Sequence, residues 1–273
     1  GGLARAIAAV EAGDRANPNR VADYVEDIMK CAKAEESVKA PASNYMDRQT
    51  DVTAKMRGIL VDWLVEVHLK FKLTSETLYL AINIIDRFLE KKSLVRQRLQ
   101  LLGVTAMLLA SKYEEVYAPE VRDFVYITDK AYTRAEILQM ETAVLSTLKF
   151  QMTVPTVYVF LQRFLKVAGA DSRTTQLANY YVERTLQEYP MLKHLPSAIA
   201  SSAVYLALRA TGRGAWTPVL QHFTGYTETA LRTCVTELHG VMAAAPSTSL
   251  QAVRKKYSSH KYGEVAAIPL PSL

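Results

Sequence analysis

The 273-residue chain has 49% hydrophobic and 22% charged residues, a composition typical of a protein that buries one large core or two smaller ones. Its net charge of +6 comes from basic residues that are scattered rather than clustered with aromatic residues, so we expect no nucleic-acid site. Two cysteines cannot form a disulfide framework, and no stretch resembles a signal peptide or a membrane span. We therefore expect a protein of the nucleus and cytoplasm that does not bind a membrane.

Residues 1–53 are interpreted as an N-terminal extension. The alanine-rich first 20 residues, interrupted at Pro18, are expected to be loosely held unless another helix docks them. A short helix is predicted over about residues 22–34, because Tyr24, Val25 and Ile28 recur on one helical face that must pack against something. Residues 37–50, rich in small polar side chains, are predicted to form a linker.

The next predicted helix, residues 54–72, has more apolar surface than one core needs. Asp51 or Thr53 can cap its start. At helical spacing, one apolar stripe consists of Met56, Leu60, Leu64, Val67 and Phe71. Ile59 and Trp63 instead lie in or beside a polar arc that also holds Asp62, Glu66 and Lys70. Exposed apolar side chains beside a carboxylate indicate a partner-binding patch.

The stretch from Leu101 to Lys112 is apolar or small on every helical face until Ser111, so as a helix it needs neighbours on all sides. It is too short to cross a bilayer, which takes about 20 apolar residues. The pattern of residues 105–112 recurs in residues 202–209, at an offset of 97 residues. This repeat predicts two copies of one helical bundle.

Two further helix starts follow the predicted central helix. Pro119 is predicted to occupy the first turn of a short helix. Thr133 and Glu136 have the spacing of a capping box, which predicts a longer helix to about Lys149. Glu141 falls at the middle of the apolar stripe of that helix, where burying an unpaired carboxylate would cost several kcal/mol.

The predicted fold is all-α, with two tandem five-helix bundles, an extra N-terminal helix and a short C-terminal helix. Val154-Pro155 separates the two halves, and the second half repeats the plan of the first. The predicted bundles span residues 54–152 and 153–245. Residues 246–273 are predicted to form a basic helix over 247–257 and a tail.

Residues that could carry chemistry are sparse. The five histidines are scattered, and no cysteine–histidine spacing suits zinc, so neither a metal nor a cofactor is predicted. Gly212-Arg213-Gly214 lacks the further glycines and the lysine of a phosphate loop. No nucleophile elbow and no kinase signature appears, which indicates that the chain is not itself an enzyme.

Three motifs, in order, resemble the cyclins, and most closely the A and B mitotic types. They are MRGILVDWL at residues 56–64, LASKYEE at residues 109–115 and YITD at residues 126–129. The resemblance extends from Tyr24 to Tyr262. It implies two five-helix cyclin boxes in a non-enzymatic subunit that binds and activates a cyclin-dependent serine/threonine kinase, as a heterodimer, in cell-cycle control. It also implies that the N-terminal helix packs against the first box and the kinase together.

By this resemblance, Lys112 and Glu141 are similar to the cyclin pair that hydrogen-bonds backbone groups around the C helix of the kinase. A lysine at a helix end can donate to several carbonyls, and a glutamate can accept from N–H groups. An internal salt bridge between the two is the alternative, and it is compatible with kinase binding. The apolar contacts implied around the pair are Ile28, Leu109, Tyr113, Leu145 and Phe150.

The resemblance also implies a groove that docks Arg-x-Leu segments of substrates or inhibitors. The leucine of such a segment would fill an apolar slot, and its arginine would pair with a carboxylate at the rim. The residues implied are Met56, Ile59, Leu60, Trp63, Glu66 and Gln100. Gly58 departs from the alanine that is usual in the family at this position, which leaves the peptide preference open.

A different class of function uses the same boxes. Transcription factor IIB and the retinoblastoma-type pocket proteins use cyclin-like boxes to bind DNA or peptides without a kinase, so the fold alone does not decide. The presence of Lys112 and Glu141, and the absence of a cysteine-rich zinc ribbon from the sequence, favour the kinase regulator.

Overall fold

A computed structural model describes residues 2–12, 14–15 and 17–273, and within them it contains thirteen α-helices and no strand. The first bundle consists of α3 (Ala54–Lys70), α4 (Ser75–Lys91), α5 (Leu99–Glu114), α6 (Val121–Ile127) and α7 (Arg134–Thr147). The second bundle consists of α8 (Val157–Val167), α9 (Ser172–Thr185), α10 (Pro196–Ala210), α11 (Pro218–Thr224) and α12 (Glu228–Ala244). Outside the bundles lie α1 (Gly2–Ala12), α2 (Val25–Lys39) and α13 (Ala252–Tyr257). The predicted all-α fold with two tandem bundles is confirmed.

The central helices of the two bundles are α5 and α10. Every residue of α5 from Leu101 to Ser111 is buried, as expected of a helix without a polar face. Every residue of α10 from Ile199 to Leu208 is buried as well. Helices α3, α4, α6 and α7 pack around α5, and α8, α9 and α12 pack around α10. None of the helices in the described part of the chain is long and apolar enough to cross a membrane.

Side-chain caps fix where several helices begin. Thr53, rather than Asp51, caps α3, because its hydroxyl accepts from the Met56 backbone N–H at 3.3 Å. The capping box that opens α7 is present. The prediction that Pro119 occupies the first turn of α6 is wrong, because Glu120 is the N-cap of that helix and closes a capping box with the third residue.

The N-terminal helix is longer than predicted. Helix α2 continues to Lys39, so it includes the first residues of the predicted linker, and a short 3-10 helix follows at Tyr45–Arg48. The helix ends where it does because Ala40 precedes Pro41, and Ala40 takes the extended conformation (ψ 142°) that a following proline favours.

The face of α2 that packs is not the predicted one. Tyr24 and Ile28 are exposed and Val25 is only half-buried, whereas Met29 packs on the core and Ala32 and Glu36 are buried. Glu36 lies on the packed face, but a carboxylate in a sequence normally indicates a solvent-exposed position. The helical periodicity of the apolar residues therefore indicated the wrong face.

The second bundle, rather than the first, holds α2. Both carboxylate oxygens of Glu36 accept hydrogen bonds from Ser197, one from its backbone N–H at 2.9 Å and one from its hydroxyl at 2.7 Å. Ser197 is in the first turn of α10, where unpaired N–H groups and the helix dipole favour a negative charge. The expectation that α2 packs against the first bundle is corrected accordingly.

The C-terminal helix is shorter than predicted and begins at Ala252 instead of residue 247. The residues before it form a turn, in which the Gln251 amide donates to the carbonyls of Ala245 and Thr248. The backbone N–H of Ala252 donates to the Asp62 carboxylate at 2.9 Å. Asp62 therefore contacts the start of α13, although its helical position had indicated solvent exposure.

A buried ion pair joins the first bundle to the second. Arg57 of α3 donates twice to the Asp86 carboxylate of α4, at 2.6 and 2.7 Å. Its remaining terminal nitrogen donates to the backbone carbonyl of Leu186, just beyond α9, at 2.9 Å. The Tyr45 hydroxyl donates to Asp86 at 2.6 Å. All the charge in this network is paired, which is the condition under which a buried ion pair is tolerated.

A second buried network attaches α13 to both bundles. The Lys256 ammonium donates to both carboxylate oxygens of Glu183 in α9, at 2.8 and 2.7 Å. The Tyr257 hydroxyl donates to the same carboxylate at 2.8 Å. Lys256 Nζ also lies 3.3 Å from His68 Nε2 of α3, and because an ammonium can only donate, the imidazole must accept there.

The Arg57 network predicts a large loss of stability on truncation. Arg57→Ala should lower the free energy of unfolding by about 3–5 kcal/mol, because it leaves the Asp86 carboxylate buried without a cation. The matched control is Arg96→Ala, which removes an exposed ion pair with Asp51 and should cost about 0–1 kcal/mol. Denaturant unfolding followed by circular dichroism measures both, and equal losses would contradict the assignment.

The environment of His68 predicts a pH dependence. Burial, together with the positive charges of Lys256 and Lys261, lowers the pKa of His68 to about 3. The unfolded chain takes up a proton near its ordinary pKa of about 6.5 and the native chain does not, so stability is full above that pH and is lost as pH falls toward 3. Between pH 7 and pH 5 this group should account for a loss of about 2 kcal/mol.

The measurement compares the wild type with His68→Gln, which cannot titrate. The difference between their free energies of unfolding should change with pH over this range, whereas the exposed His260→Gln control should follow the wild type. A difference that stays constant from pH 7 to pH 5 would show that the native state does not lower the pKa of His68.

Candidate functional site

The structure brings Lys112 and Glu141 together. The Lys112 ammonium at the end of α5 lies 2.7 Å from Glu141 Oε1 of α7. The lysine side chain is 49% exposed and the glutamate side chain 15% exposed. The internal salt bridge that the sequence left open therefore forms, and it explains how a carboxylate is tolerated on the apolar stripe of α7. An ammonium has three donors, so the pair keeps hydrogen-bonding capacity for a partner.

The predicted apolar contacts around this pair differ in exposure. Tyr113 and Phe150 are largely exposed and Leu145 is half-buried, so these three side chains offer surface. Leu109 is buried, so it supports the surface from beneath rather than forming part of it. The Tyr113 hydroxyl hydrogen-bonds to the Thr153 hydroxyl, which lies beyond α7.

The turn after α7 presents Phe150 to solvent at an energetic cost. Lys149 and Phe150 have positive φ angles of 52° and 58°. The left-handed conformation costs roughly 1–2 kcal/mol per non-glycine residue. The Phe150 backbone N–H donates to the Leu145 carbonyl at 2.9 Å, which closes the turn. An aromatic ring exposed by a strained turn gives the free chain no benefit, so it indicates a contact surface.

Sequence reasoning missed two residues of this surface. Val116 and Tyr117 follow the C-cap residue of α5, Glu115, and are 87% and 92% exposed. An open cleft beside them is lined by Lys112, Pro119, Val121 and Arg134, among others. The sequence did contain a signal for them, because a β-branched residue next to an aromatic residue in a short connection between helices indicates an exposed apolar contact. We call Lys112, Glu141, Tyr113, Leu145, Phe150, Val116 and Tyr117 the ion-pair surface.

Ile28 lies on α2 and not within the first bundle. Its side chain is largely exposed, in keeping with a contact to a partner. The other end of α2 reaches the ion-pair surface, because the Lys39 ammonium donates to the Thr153 carbonyl at 3.0 Å. Since Thr153 also bonds Tyr113, the position of α2 is tied to that surface.

The predicted docking residues form a second surface, on α3 and the start of α5, which we call the α3 patch. Ile59 is 53% exposed, Met56 and Trp63 are half-buried, and Glu66 is exposed one turn beyond Trp63. Leu60 is buried and forms the floor of the patch. A methyl group on Gly103 of α5 would lie only 2.7 Å from Leu60, so glycine at this position permits the close crossing of α3 and α5.

Gln100 completes the α3 patch from α5. It is half-buried and lies one turn before Gly103, on the same side of the helix, which places it next to the Leu60 floor. The six predicted docking residues therefore share one region, with five of them accessible and Leu60 beneath.

Gly58 faces the second bundle. A Cβ there would lie 3.2 Å from the Gln187 carbonyl oxygen and 3.2 Å from a methyl carbon of Leu250. Glycine at this position thus lets α3 pack closely against the second half of the chain. Its side-chain position does not line the α3 patch.

Within residues 2–12, 14–15 and 17–273, no group of three or more histidine, cysteine, aspartate or glutamate side chains could hold a metal ion. Cys31 and Cys234 are both free thiols. The described residues do present two surfaces that combine exposed apolar side chains with charged side chains, the ion-pair surface and the α3 patch.

Comparison with known families gives matches over both bundles. The model of the cyclin N-terminal domain matches residues 27–153, and that of the cyclin C-terminal domain matches residues 155–271.

Curated relatives are similar along almost the whole chain. A G2/mitotic-specific cyclin-B of Dictyostelium discoideum is 44% identical over 259 residues, which is 94% of this chain and 59% of the relative. Cyclin-A1-1 of Arabidopsis thaliana is 47% identical over 265 residues, 94% of this chain and 58% of the relative. The chain thus spans about three fifths of the length of these relatives.

Solved structures share the fold. A viral cyclin from herpesvirus saimiri superposes with a TM-score of 0.69 at 20% identity, covering 78% of this chain and 97% of that one. A chain of the yeast RNA polymerase II CTD kinase CTDK-1 complex gives a TM-score of 0.62 at 12% identity, covering 85% and 83%. Together with the two domain matches and the identity to the curated relatives, this architecture shows that the chain belongs to the cyclin family.

Proposed function

We propose that this protein is the regulatory subunit of a cyclin-dependent protein kinase, which it binds and activates through the ion-pair surface, and that it acts in cell-cycle control. The observation that carries the proposal is the Lys112–Glu141 pair, a partly exposed charge pair surrounded by exposed apolar side chains. Relatives 44–47% identical are named as mitotic cyclin-B and cyclin-A proteins, which supports this assignment.

The pair is suited to reading the backbone of a partner. Glu141 Oε1 accepts from Lys112, which leaves the second carboxylate oxygen available for N–H groups, while the ammonium keeps donors for carbonyl groups. Such charge-assisted hydrogen bonds are about twice as strong as neutral ones and are strongest once the surrounding apolar side chains exclude water.

Activation would follow from stabilising one state of the kinase. An active protein kinase needs the ion pair between its catalytic lysine and a glutamate of its C helix. A regulator that binds only the inward position of that helix shifts the kinase toward its active state by its differential affinity. In this mechanism the chain supplies no catalytic group, so the proposed regulator is not itself an enzyme.

We also propose that the α3 patch recruits substrates or inhibitors that carry an Arg-x-Leu segment. The half-buried walls formed by Met56 and Trp63 above the Leu60 floor provide an apolar slot for the leucine. Filling such a slot contributes roughly 1.5–3 kcal/mol. Exposed Glu66, one turn away, is placed to pair with the arginine, where an exposed ion pair gives about 0–1 kcal/mol and mainly orientation.

The ion-pair surface generates the first functional prediction. Lys112→Ala and Glu141→Ala should each cost about 2 kcal/mol or more of affinity for a mitotic cyclin-dependent kinase, because the remaining charge would be buried in the interface without its partner. Titration calorimetry measures the affinity, and circular dichroism checks the fold.

The second bundle offers a matched control for this experiment. Lys193 pairs with Glu237 at 2.8 Å, and its side chain is 49% exposed, as that of Lys112 is. Lys193→Ala should leave kinase affinity unchanged. If the Lys112→Ala, Glu141→Ala double variant binds the kinase as tightly as the wild type, the ion-pair surface is not the kinase interface.

The α3 patch generates the second prediction, which is that a variant can lose substrate recruitment while it still activates the kinase. Ile59→Ala with Trp63→Ala should raise the KM for a protein substrate that carries Arg-x-Leu by a factor of about ten to a hundred. Phosphorylation of a short peptide without that segment should be nearly unchanged. Leu60 is left intact, because truncating this buried floor would itself destabilise the fold by about 2–5 kcal/mol.

Leu195→Ala provides the control, since it removes a partly exposed leucine from the second bundle. This variant should change neither the KM for the Arg-x-Leu substrate nor the phosphorylation of the short peptide. If the folded Ile59, Trp63 double variant loses activity equally on both substrates, the patch belongs to the kinase interface or to the core, and the recruitment assignment is wrong.

A further inference from the structure

The second bundle carries a cationic site that is occupied by the beginning of the chain. Glu11, in the last turn of α1, hydrogen-bonds Arg163 of α8 and lies 2.9 Å from the Lys166 ammonium. Asp14 also hydrogen-bonds Lys166. These two carboxylates, three residues apart, therefore hold two cations that are themselves three residues apart on one face of α8.

Arg163 is more buried than a surface cation would be. Only 8% of it is exposed, and its guanidinium lies 4.8 Å from the centre of the Phe223 ring of α11. Its buried Nε has no hydrogen-bond partner among the described residues. A guanidinium that is stacked on an aromatic ring and largely removed from water needs a carboxylate to offset the cost of its burial.

The two acidic side chains are unfavourable for α1 itself. Glu11 lies in the last turn of α1 and Asp14 just beyond it, where the negative end of the helix dipole disfavours carboxylates. The last turn of α1 carries no basic residue, although a basic residue would be favoured there. Glu11 and Asp14 therefore stabilise the contact between α1 and α8 and do not stabilise α1 itself.

Except for these ion pairs, helix α1 makes few contacts that hold it on the second bundle. None of its residues is buried, so its apolar side chains contribute little to holding it in place. Beside it, an open cleft of about 680 Å³ lies between α1, α2 and α11, with Ile7, Met29 and Phe223 in its lining. The cations of α8 are thus paired with carboxylates of opposite charge, whereas α1 makes little apolar contact and has free space beside it.

We propose that Arg163, Lys166 and Phe223 form a docking site for an acidic helical segment of a partner protein, and that α1 occupies this site in cis. The partner segment would carry two carboxylates three residues apart near the end of a helix, the pattern that Glu11 and Asp14 display. It would compete with α1, whose covalent connection gives it a high effective concentration at the site. Binding of the partner releases α1 and requires no kinase.

The experiment uses the full chain and a peptide probe. A fluorescent peptide that copies residues 2–17 is titrated with the wild type and with a release variant, Glu11→Gln with Asp14→Asn, and binding is followed by anisotropy. The release variant should bind the peptide at least about tenfold more tightly than the wild type, because its own α1 no longer competes. A peptide that carries the same two amide substitutions should not bind.

Further variants in the release background identify the site. Lys166→Gln and Arg163→Gln should each weaken peptide binding by about tenfold or more, since each loses a charge-assisted hydrogen bond. Arg173→Gln, an exposed arginine on α9, is the matched control and should have no effect. Lys166 is partly exposed, so we expect Lys166→Gln to fold. If thermal melting shows that Arg163→Gln is unfolded, the peptide affinity of Lys166→Gln tests the site.

Two results would overturn the proposal. One is equal peptide affinity for the wild type and the release variant, which would mean that α1 does not occupy the binding site. The other is unchanged affinity in folded Lys166→Gln in the release background, which would place the peptide elsewhere on the molecule.

Discussion

The buried pair of Arg57 and Asp86 is the interaction on which the arrangement of the two bundles depends. The Arg57 guanidinium connects its own helix α3 to two other elements, because it donates twice to the Asp86 carboxylate of α4 and once to the Leu186 carbonyl in the second half. Such a pair contributes little net stability compared with an apolar core, but it tolerates only one relative position of its partners. The Lys256–Glu183 network does the same for α13. Together they specify one orientation of the bundles.

This fixed orientation matters because the two proposed binding surfaces share a scaffold without sharing residues. The ion-pair surface is built from the end of α5, the second half of α7 and the connections after these helices, whereas the α3 patch lies on α3 and the first turn of α5. Central helix α5 contributes to both, and it is buried along nearly its whole length. A buried, close-packed helix does not deform easily, so α5 holds the two surfaces at a constant separation.

Local patterns allowed most of the helices to be predicted from the sequence. The buried central helix lacks a polar face, the α7 capping box needs only residues 133 and 136, and Glu141 stood out against its apolar neighbours. Long-range pairing could not be predicted. Asp86 is 29 residues from Arg57, and Ser197 is 161 residues from Glu36. Glu36 therefore gave no sign of being buried, and the packed face of α2 was assigned wrongly.

The rigidity of α5 fixes the distance between the two proposed surfaces. Gln100 of the α3 patch and Lys112 of the ion-pair surface lie 12 residues apart on this one helix, which at 1.5 Å per residue corresponds to about 18 Å. An extended polypeptide spans about 3.4 Å per residue, so at least about five residues are needed to cover that distance alone. Under the proposed function, this distance separates a docked Arg-x-Leu segment from the Lys112 end of the kinase interface. Because a close-packed helix does not stretch or bend easily, that separation is the same for every partner that binds.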